Sequence, residues 1–358
     1  MTAARVLSDH FAHVTVIERD VAPDPVAFRK GAPQTRHPHA LLAKGEEILN
    51  GMFPGLSQEL HTGGAIAANF GSELGFYISG NWCQPYVSAI TTTLCSRPLL
   101  ESTIYHTSEW KALYIMAMAP HTPRGAIIVP MEGDRWHLSL VGVGGDYPPT
   151  DEAGFMDFVR SLPSPLFYEA LKDAEPLTAP YGYRRAENQM RYYEKLPRYI
   201  EGFVATGDAV YAFNPIYGQG MSTAAIASQT LNGCLKEQRI YGEKTLDGLA
   251  QRFQRELASV TAAPWAMATG QDIRWPTTEG GAKPDPVTWL VQGYLDKVLA
   301  VAPHNPAVAE AFFHVQNMLK GPESLFHPKV LWQVLKPQPS QPAFQPAPVR
   351  GLGQAVTA

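Results

Sequence analysis

The sequence predicts an α/β fold, and three stretches of the chain carry this prediction. Apolar residues recur at helical spacing over residues 3–11, and the apolar, β-branched run 14–17 follows at once, as when a helix leads into a buried strand. The apolar run 203–206, read as a short buried strand, leads to a Gly-rich turn and a helix of small residues. Between them, residues 126–130 and 136–142 form a hairpin pattern, which predicts an antiparallel sheet.

The remaining elements are predicted from the same kinds of signal. Residues 22–40 are rich in Pro, Arg and His and predict an irregular loop, whereas residues 63–95 predict short strands and loops. Ser96, followed by Arg and Pro, is typical of a helix start. Further helices are predicted over residues 41–53, 152–162 and 220–235 and, with breaks at 276–286 and 303–306, across 245–335.

Aromatic and proline content give two further predictions. The proline-rich stretch 337–348 has too few apolar groups to offset its ordering entropy, so we expect a disordered tail. Four tryptophans with aromatic neighbours are expected in the core: Trp136, Trp265, Trp275 and Trp289.

Composition bounds the class of protein. The 358 residues have room for two domains, or for one large doubly wound domain with an insert. Hydrophobic residues make up 45% and charged residues 17%, which is typical of a globular protein, and the apolar runs are too short to cross a bilayer. With 29 Lys plus Arg against 33 Asp plus Glu, and no basic stripe interleaved with aromatics, we expect no nucleic-acid partner.

Cysteine usage and the N-terminus indicate the cellular compartment. Cys83, Cys95 and Cys234 are odd in number and lack metal-ligand spacing, so we expect neither a disulfide framework nor a zinc site. His37 and His39 have no Cys or carboxylate nearby with the spacing that would complete a metal site. The N-terminus contains no continuous apolar stretch with a cleavage site, so no signal peptide is expected. These features predict a cytoplasmic protein.

The strongest chemical signal is the segment from residue 202 to residue 225. It places Gly207-Asp208 at a strand end, Asn214-Pro215 in the following loop, and a Gly-Gln-Gly turn at the start of a long helix. Glycines let a backbone approach a flat ring closely, and a helix N-terminus presents unpaired N–H groups and partial positive charge. Both features suit a flavin, whose N1–C2=O side carries negative charge once reduced. Asp208 would accept hydrogen bonds from ribityl hydroxyls.

This segment resembles the Gly-Asp motif of FAD-dependent oxidoreductases related to para-hydroxybenzoate hydroxylase. That group includes the class A flavoprotein monooxygenases and their squalene epoxidase and geranylgeranyl reductase relatives. The competing interpretation is a Gly-rich strand, turn and helix of an unrelated α/β protein. The resemblance implies an FAD site that uses Gly207, Asp208, Asn214, Pro215, Gly218, Gln219, Gly220 and Met221.

Three other positions match the same family. Its second strand ends on an acid that binds the adenosine ribose, and Glu18 occupies that position. Residues 29–45 resemble the loop and helix that follow, and Arg97 stands in a stretch that resembles a later Arg-bearing helix. The resemblance implies that Arg36 and Arg97 lie near the ribityl chain or the pyrophosphate, a role that bidentate guanidinium groups suit.

The resemblance implies a fold and a reaction. The expected fold is an incomplete Rossmann-like FAD-binding domain with an antiparallel substrate domain and a mainly helical C-terminal region. FAD would be reduced by NAD(P)H and would react with oxygen to hydroxylate or epoxidise a small apolar substrate, such as a terpenoid, polyketide or aromatic. No catalytic base is expected, because the cofactor carries the chemistry. The alternatives are a reductase of the geranylgeranyl-reductase type and a non-catalytic remnant that binds FAD weakly or not at all.

Two parts of the family pattern have no counterpart in this sequence. The G-x-G-x-x-G strand would precede Ala3, and a block of strands is missing near residues 104–106. A shortened product of a flavoprotein gene and a true variant would both explain this. The expected domain bounds are 1–104 for the partial FAD-binding domain and 110–196 for the substrate domain. The FAD-binding domain returns over 197–240, helices follow over 241–336, and the tail is 337–358.

Overall fold

The structure is a computed structural model of the chain. It describes residues 2–17, 41–95, 112–131, 135–184, 187–241, 245–281, 285–337 and 356–357. The chain divides into two compact units. The first unit comprises Met1–Val21, Ala40–Leu56 and Arg185–Gly270, and the second comprises Ala22–His39, Ser57–Arg184 and Gln271–Ala358.

The first unit is built around long helices. Its elements, in chain order, are α1 (Thr2–Ser8), α2 (Ala43–Met52), β8 (Gln189–Met190), β9 (Tyr211–Ala212), α6 (Gly220–Tyr241) and α7 (Leu249–Asp272). Strands β8 and β9 pair antiparallel. Helices α1, α6 and α7 and the segment before β9 bury one apolar cluster: Val6, Ala205, Val210, Tyr211, Ala227, Leu231, Cys234, Leu235, Leu249, Phe253 and Leu257.

Helices α2 and α6 pack closely where α6 begins. Gly45 of α2 is buried, and a Cβ built on it would lie 2.9 Å from Ser222 Cα. In the same contact, the backbone N–H of Leu42 donates to Ser222 Oγ over 3.1 Å. Glycine at this position therefore lets the two helix backbones approach, and the hydrogen bond fixes the start of α2 against the first turn of α6.

The second unit contains a six-stranded sheet. The remaining strands are β1 (Ile66–Asn69), β2 (Leu74–Ile78), β3 (Asn81–Trp82), β4 (Thr91–Leu94), β5 (Ala112–Ile115), β6 (Arg124–Met131), β7 (Arg135–Gly142) and β10 (Val356–Thr357). The large sheet has the order β10-β7-β6-β5-β2-β3, and β1 and β4 form a separate antiparallel pair. Strands β6 and β7 pair antiparallel along their full length, which confirms the predicted hairpin strands.

Helices complete the second unit. They are α3 (Leu56–Thr62), α4 (Glu152–Arg160), α5 (Leu166–Leu171), α8 (Pro286–Val301), α9 (Pro306–Gln316) and α10 (Pro328–Leu335). Side chains of the sheet, such as Ile115 and Ile128, form a core with Phe158 of α4 and Phe167 of α5. The helices predicted near residues 41–53, 152–162 and 220–235 and within 245–335 are confirmed. Among the described helices, none is both long enough and apolar enough to span a bilayer.

Two predicted strands of the first unit are wrong. Residues 14–17 form no strand, and Val16 and Ile17 are 58% and 93% exposed. Residues 203–206 also form no strand, although Ala205 is buried. A strand needs the main chain of a neighbour for its hydrogen bonds, and no described strand pairs with either segment. The parallel sheet of a Rossmann-like domain is therefore not found among the described residues.

Two predictions for the second unit also need correction. The large sheet is mixed rather than antiparallel, because β2 pairs parallel with β5 and β10 pairs parallel with β7. Trp136 and Trp275 are buried as predicted and Trp265 is half-buried, but Trp289 is 71% exposed in the first turns of α8. Its apolar neighbours on that helix turn, Val287 and Leu290, are exposed as well, so aromatic content there did not indicate burial.

Three predictions fall outside the described residues. They are the irregular loop of residues 22–40, the helix start at Ser96, and nearly all of the proline-rich tail.

Arg124 ties the β6–β7 hairpin to α4. Its Nε and Nη2 donate to the two carboxylate oxygens of Asp146 over 2.6 and 2.7 Å, and its Nη1 donates to Ser161 Oγ. The guanidinium also lies 4.3 Å from the centre of the Phe158 ring. Hydrogen bonds from Arg124 lower the pKa of Asp146, because they favour the ionised carboxylate.

Replacing Gly45 with Ala should destabilise the protein, because the added methyl group would crowd the backbone of Ser222. We expect a loss of about 1–3 kcal/mol in the free energy of unfolding, measured by chemical denaturation. Gly51→Ala on the same helix is the matched control, because a Cβ there would meet no atom within 4 Å. That variant should gain up to about 1 kcal/mol from helix propensity. Equal stability of the two variants would contradict the close packing.

Asp146→Asn should lower the melting temperature at pH 7 by removing one partner of the bidentate pair. Because the folded pKa is lowered, the stabilisation is present above the unfolded pKa and is lost as the pH falls through the folded value. Both side chains are one-third exposed, so we expect at most about 1 kcal/mol. The difference from the parent should therefore shrink to zero in melting curves taken at decreasing pH.

Asp157→Asn is the control for this experiment, because Asp157 pairs with Arg160 and its side chain is 74% exposed. A melting temperature lowered equally by both substitutions would argue against a special role for the Arg124 contact.

Candidate functional site

The candidate site is the Gly-Asp loop, which we define as residues 207–220. Thr206 before it is extended, and Gly207 then takes a positive φ of 60° at the start of a 3-10 turn, Gly207–Ala209. Strand β9 follows, then a second 3-10 turn over Pro215–Tyr217. Gly218 closes that turn in the left-handed region, with φ 64°. Both glycines stand where a side chain would be strained, so local backbone geometry explains two of the motif's residues.

Asn214 shapes the middle of the Gly-Asp loop. Its Oδ1 accepts a hydrogen bond from the backbone N–H of Ile216 over 3.2 Å and so caps the second 3-10 turn. Its own backbone N–H donates to Asn188 Oδ1 over 2.8 Å. Pro215 follows at the first position of the turn, where its missing N–H is not needed. The pair Asn214-Pro215 therefore acts as a turn starter, and Asn214 itself is buried.

The loop ends at the N-terminus of α6, where the backbone N–H groups of the first turn have no partner within the helix. Gln219 immediately precedes this helix and is only 4% exposed, yet its Oε1 accepts no hydrogen bond within the described part of the chain. A Cβ built on Gly220 would meet no atom within 4 Å. A buried acceptor that lacks a donor, beside a helix N-terminus with open space, is a site that a polar ligand would complete.

Asp208 lies at the other end of the loop. It is exposed, and a Cβ built on the neighbouring Gly207 would meet no atom within 4 Å. Arg191 donates to the backbone oxygens of Asp208 and Ala209 over 3.3 and 3.1 Å. The carboxylate of Asp208 is thus presented on the surface of the first unit, by a backbone that a neighbouring guanidinium holds.

Aromatic packing anchors the loop to α7. Tyr211 and Phe213 stack with their ring centres 6.3 Å apart, and Trp265 of α7 packs against both rings. Gln254 of α7 donates to the backbone oxygen of Ala205 over 2.9 Å and holds the segment that leads into the loop. Contacts from α7 therefore fix both the entry and the middle of the loop.

Burial favours the protonated form of one phenol and two thiols of the chain. Burial raises the pKa of Tyr211, and it raises the pKa of the Cys234 thiol to about 12, with Glu256 adding to the effect. Burial likewise raises the pKa of Cys83 in the second unit to about 12. None of these three groups is an anion near neutral pH, so none is a nucleophile or general base there.

The structure brings part of the predicted site together. The residues on one continuous loop and helix start are Gly207, Asp208, Asn214, Pro215, Gly218, Gln219, Gly220 and Met221. Glu18, Arg36 and Arg97 lie outside the described residues. Asn188 and Arg191, which contact the loop, were not predicted. Neither belongs to a recognisable motif, and only the pairing of β8 with β9 places them there.

No protein-family model matches the chain. Protein Rv3254 of Mycobacterium tuberculosis is 24% identical, and the alignment covers 89% of this chain and 87% of the relative. Its 423 aligned positions exceed the 358 residues of this chain, so the relative contains segments that have no counterpart here.

Two solved structures resemble this one. A flavoprotein/dehydrogenase from Cytophaga hutchinsonii matches with a TM-score of 0.55 and 15% identity over 93% of each chain. The pqsL protein of Pseudomonas aeruginosa, a probable FAD-dependent monooxygenase, matches with a TM-score of 0.45 and 14% identity, over 87% of this chain and 95% of that one. The first likeness shows that this chain has the fold of a flavoprotein, and it confirms the predicted family resemblance at the level of fold.

Gly207→Ala should destabilise the chain without added ligand, because alanine must adopt a positive φ there. We expect a loss of about 1–2 kcal/mol, measured by chemical denaturation. Gly220→Ala is the control, because Gly220 has no positive φ and its Cβ would have open space. Stability should be nearly unchanged in that variant. If Gly207→Ala were as stable as Gly220→Ala, the loop backbone would not need glycine at residue 207.

Proposed function

We propose, starting from the flavoprotein fold that this chain shares, that the protein is an FAD-dependent oxidoreductase whose flavin binds at the Gly-Asp loop. The observation that carries the proposal is Gln219 Oε1 at the N-terminus of α6, which is buried and accepts no hydrogen bond from any described residue. An unsatisfied buried acceptor costs about 1–3 kcal/mol, so a ligand that donates a hydrogen bond to Gln219 Oε1 would recover that free energy on binding.

The described residues fit this cofactor. Open space faces both Gly207 and Gly220, so a planar ring or a ribityl chain could approach the backbone closely. The start of α6 supplies N–H groups and partial positive charge, which suit the N1–C2=O side of a reduced isoalloxazine. Asp208 is exposed and could accept hydrogen bonds from ribityl hydroxyls. These features agree in polarity with the part of FAD that each would contact.

Residues outside the described part complete the proposal through the family resemblance. Glu18 would bind the adenosine ribose, and Arg36 and Arg97 would lie near the pyrophosphate or ribityl chain. Asn214, Pro215, Gly218 and Met221 would surround the ring.

The proposed reaction is a monooxygenation of a small apolar substrate with NAD(P)H and oxygen. Bound flavin supplies the redox chemistry and the activation of oxygen. The chain's own residues bind and orient: α6 stabilises negative charge at its N-terminus, and the glycine-lined backbone leaves room for the ring.

Two alternatives use the same scaffold. A reductase of the geranylgeranyl-reductase type would deliver hydride to an alkene without consuming oxygen. One observation favours a non-catalytic flavoprotein remnant. Residues 14–17, which precede Glu18, are largely exposed and are not part of a sheet. The segments of Rv3254 that have no counterpart here support the idea that an internal block is missing.

The first experiment is a titration of the purified full-length chain with FAD, followed by flavin fluorescence and absorbance. Saturation near one FAD per chain supports the proposal, and no binding in excess FAD contradicts it while favouring the remnant. With FAD bound, oxygen consumption coupled to NADPH oxidation in the presence of apolar substrates distinguishes the monooxygenase from the reductase.

Gln219→Leu tests whether the side-chain amide of Gln219 contacts FAD. Without FAD, the substitution removes a buried acceptor that has no donor among the described residues, so stability should be unchanged or increased by about 1 kcal/mol in chemical denaturation. Affinity for FAD should fall by roughly tenfold or more, because a ligand can no longer pair with the amide. Gln229→Leu is the control, since Gln229 is exposed on the same helix. A Gln219→Leu protein that binds FAD like the parent would show that the amide does not face the cofactor.

A further inference from the structure

A short segment outside the recognised motif contacts the Gly-Asp loop along much of its length. Asn188 Oδ1 accepts from the backbone N–H of Asn214, and Arg191 donates its own backbone N–H to the oxygen of Val210 over 2.9 Å. Between them, β8 pairs antiparallel with β9. Four consecutive residues, 188–191, therefore follow the loop from residue 214 back to residue 208.

The side chain of Arg191 extends these contacts to the first 3-10 turn. It donates to the backbone oxygens of Asp208 and Ala209, and its Nη2 also donates to Gln189 Oε1 over 2.7 Å. Backbone oxygens at the end of a helical turn carry partial negative charge, which a guanidinium stabilises. The contact constrains the backbone at residues 208 and 209.

The contacts from residues 188–191 act on a loop whose own secondary-structure elements are short. The loop consists of two 3-10 turns and a two-residue strand, each of which contributes few hydrogen bonds. Glycine at residues 207 and 218 adds conformational freedom at both ends. A loop of this composition needs contacts from another segment to keep one shape.

We infer that Asn188 and Arg191 are positioning residues that hold the Gly-Asp loop in its ligand-ready shape. This inference rests on the proposed function, because the loop is taken to receive FAD. The two residues act on the loop backbone, so their loss raises the conformational cost of binding and leaves the recognising groups in place.

The test compares Arg191→Met with Arg198→Met, both in the full-length chain. Arg198 is exposed in the same unit and makes no hydrogen bond or ion pair within the described part of the chain. Arg191→Met should weaken FAD binding roughly tenfold, equivalent to about 1.4 kcal/mol, in a fluorescence titration. Arg198→Met should bind FAD like the parent, and Arg191→Lys should recover part of the affinity, since an ammonium can still donate to a backbone oxygen.

Amide hydrogen exchange without FAD distinguishes a local effect on the loop from a general loss of stability of the first unit. Arg191→Met and Asn188→Ala should each speed exchange in peptides that span residues 208–218, while peptides from the middle of α6 stay unchanged. Unchanged exchange in the loop would overturn the inference, and so would equally faster exchange throughout the first unit. If the parent chain does not bind FAD, the proposed function fails, and the exchange experiment alone then decides whether the two residues hold the loop.

Discussion

The contact between α2 and the first turn of α6 is the constraint on which the candidate site depends. Gly45 lets the two backbones approach, and the Leu42 N–H to Ser222 Oγ hydrogen bond orients the start of α6. Gln219 and Gly220 lie directly before and at that start, so the position of the site's polar groups follows from helix packing two residues away. A helix N-terminus can serve as a binding site only if its end is held in place, and here a tight glycine contact holds it.

The loop before α6 is shaped by different forces at its two ends. Near Gly207 the guanidinium of Arg191 holds the backbone, whereas near Gly218 the side chain of Asn214 caps the turn from within. The rings of Tyr211, Phe213 and Trp265 pack against one another and anchor the middle of the loop. One short segment thus carries both the polar groups proposed to contact a ligand and the aromatic rings that anchor the loop.

Each unit buries an apolar core and leaves other apolar side chains exposed. In the second unit the sheet packs against α4 and α5 with Ile115, Ile128 and Phe167 fully buried. In the first unit Phe253 and Leu257 are fully buried, whereas Val16, Ile17 and Phe203 remain exposed and add little to its stability. A ligand that binds only the folded state adds its binding free energy to folding, so stability of the first unit and cofactor binding should be linked.

The sequence by itself determined the helices and the β6–β7 hairpin strands, because helical periodicity and strand alternation are local properties. It also indicated a flavoprotein, which the shared fold agrees with. Tertiary structure decided what local patterns cannot. The apolar run 14–17 has the composition of a buried strand, yet burial requires a neighbouring strand that the run itself does not encode. Trp289 is exposed because helix packing, not aromatic character, sets burial. Asn188 and Arg191 acquire a role only when β8 pairs with β9. That Gln219 Oε1 is buried without a donor among the described residues becomes visible only once its surroundings are folded around it.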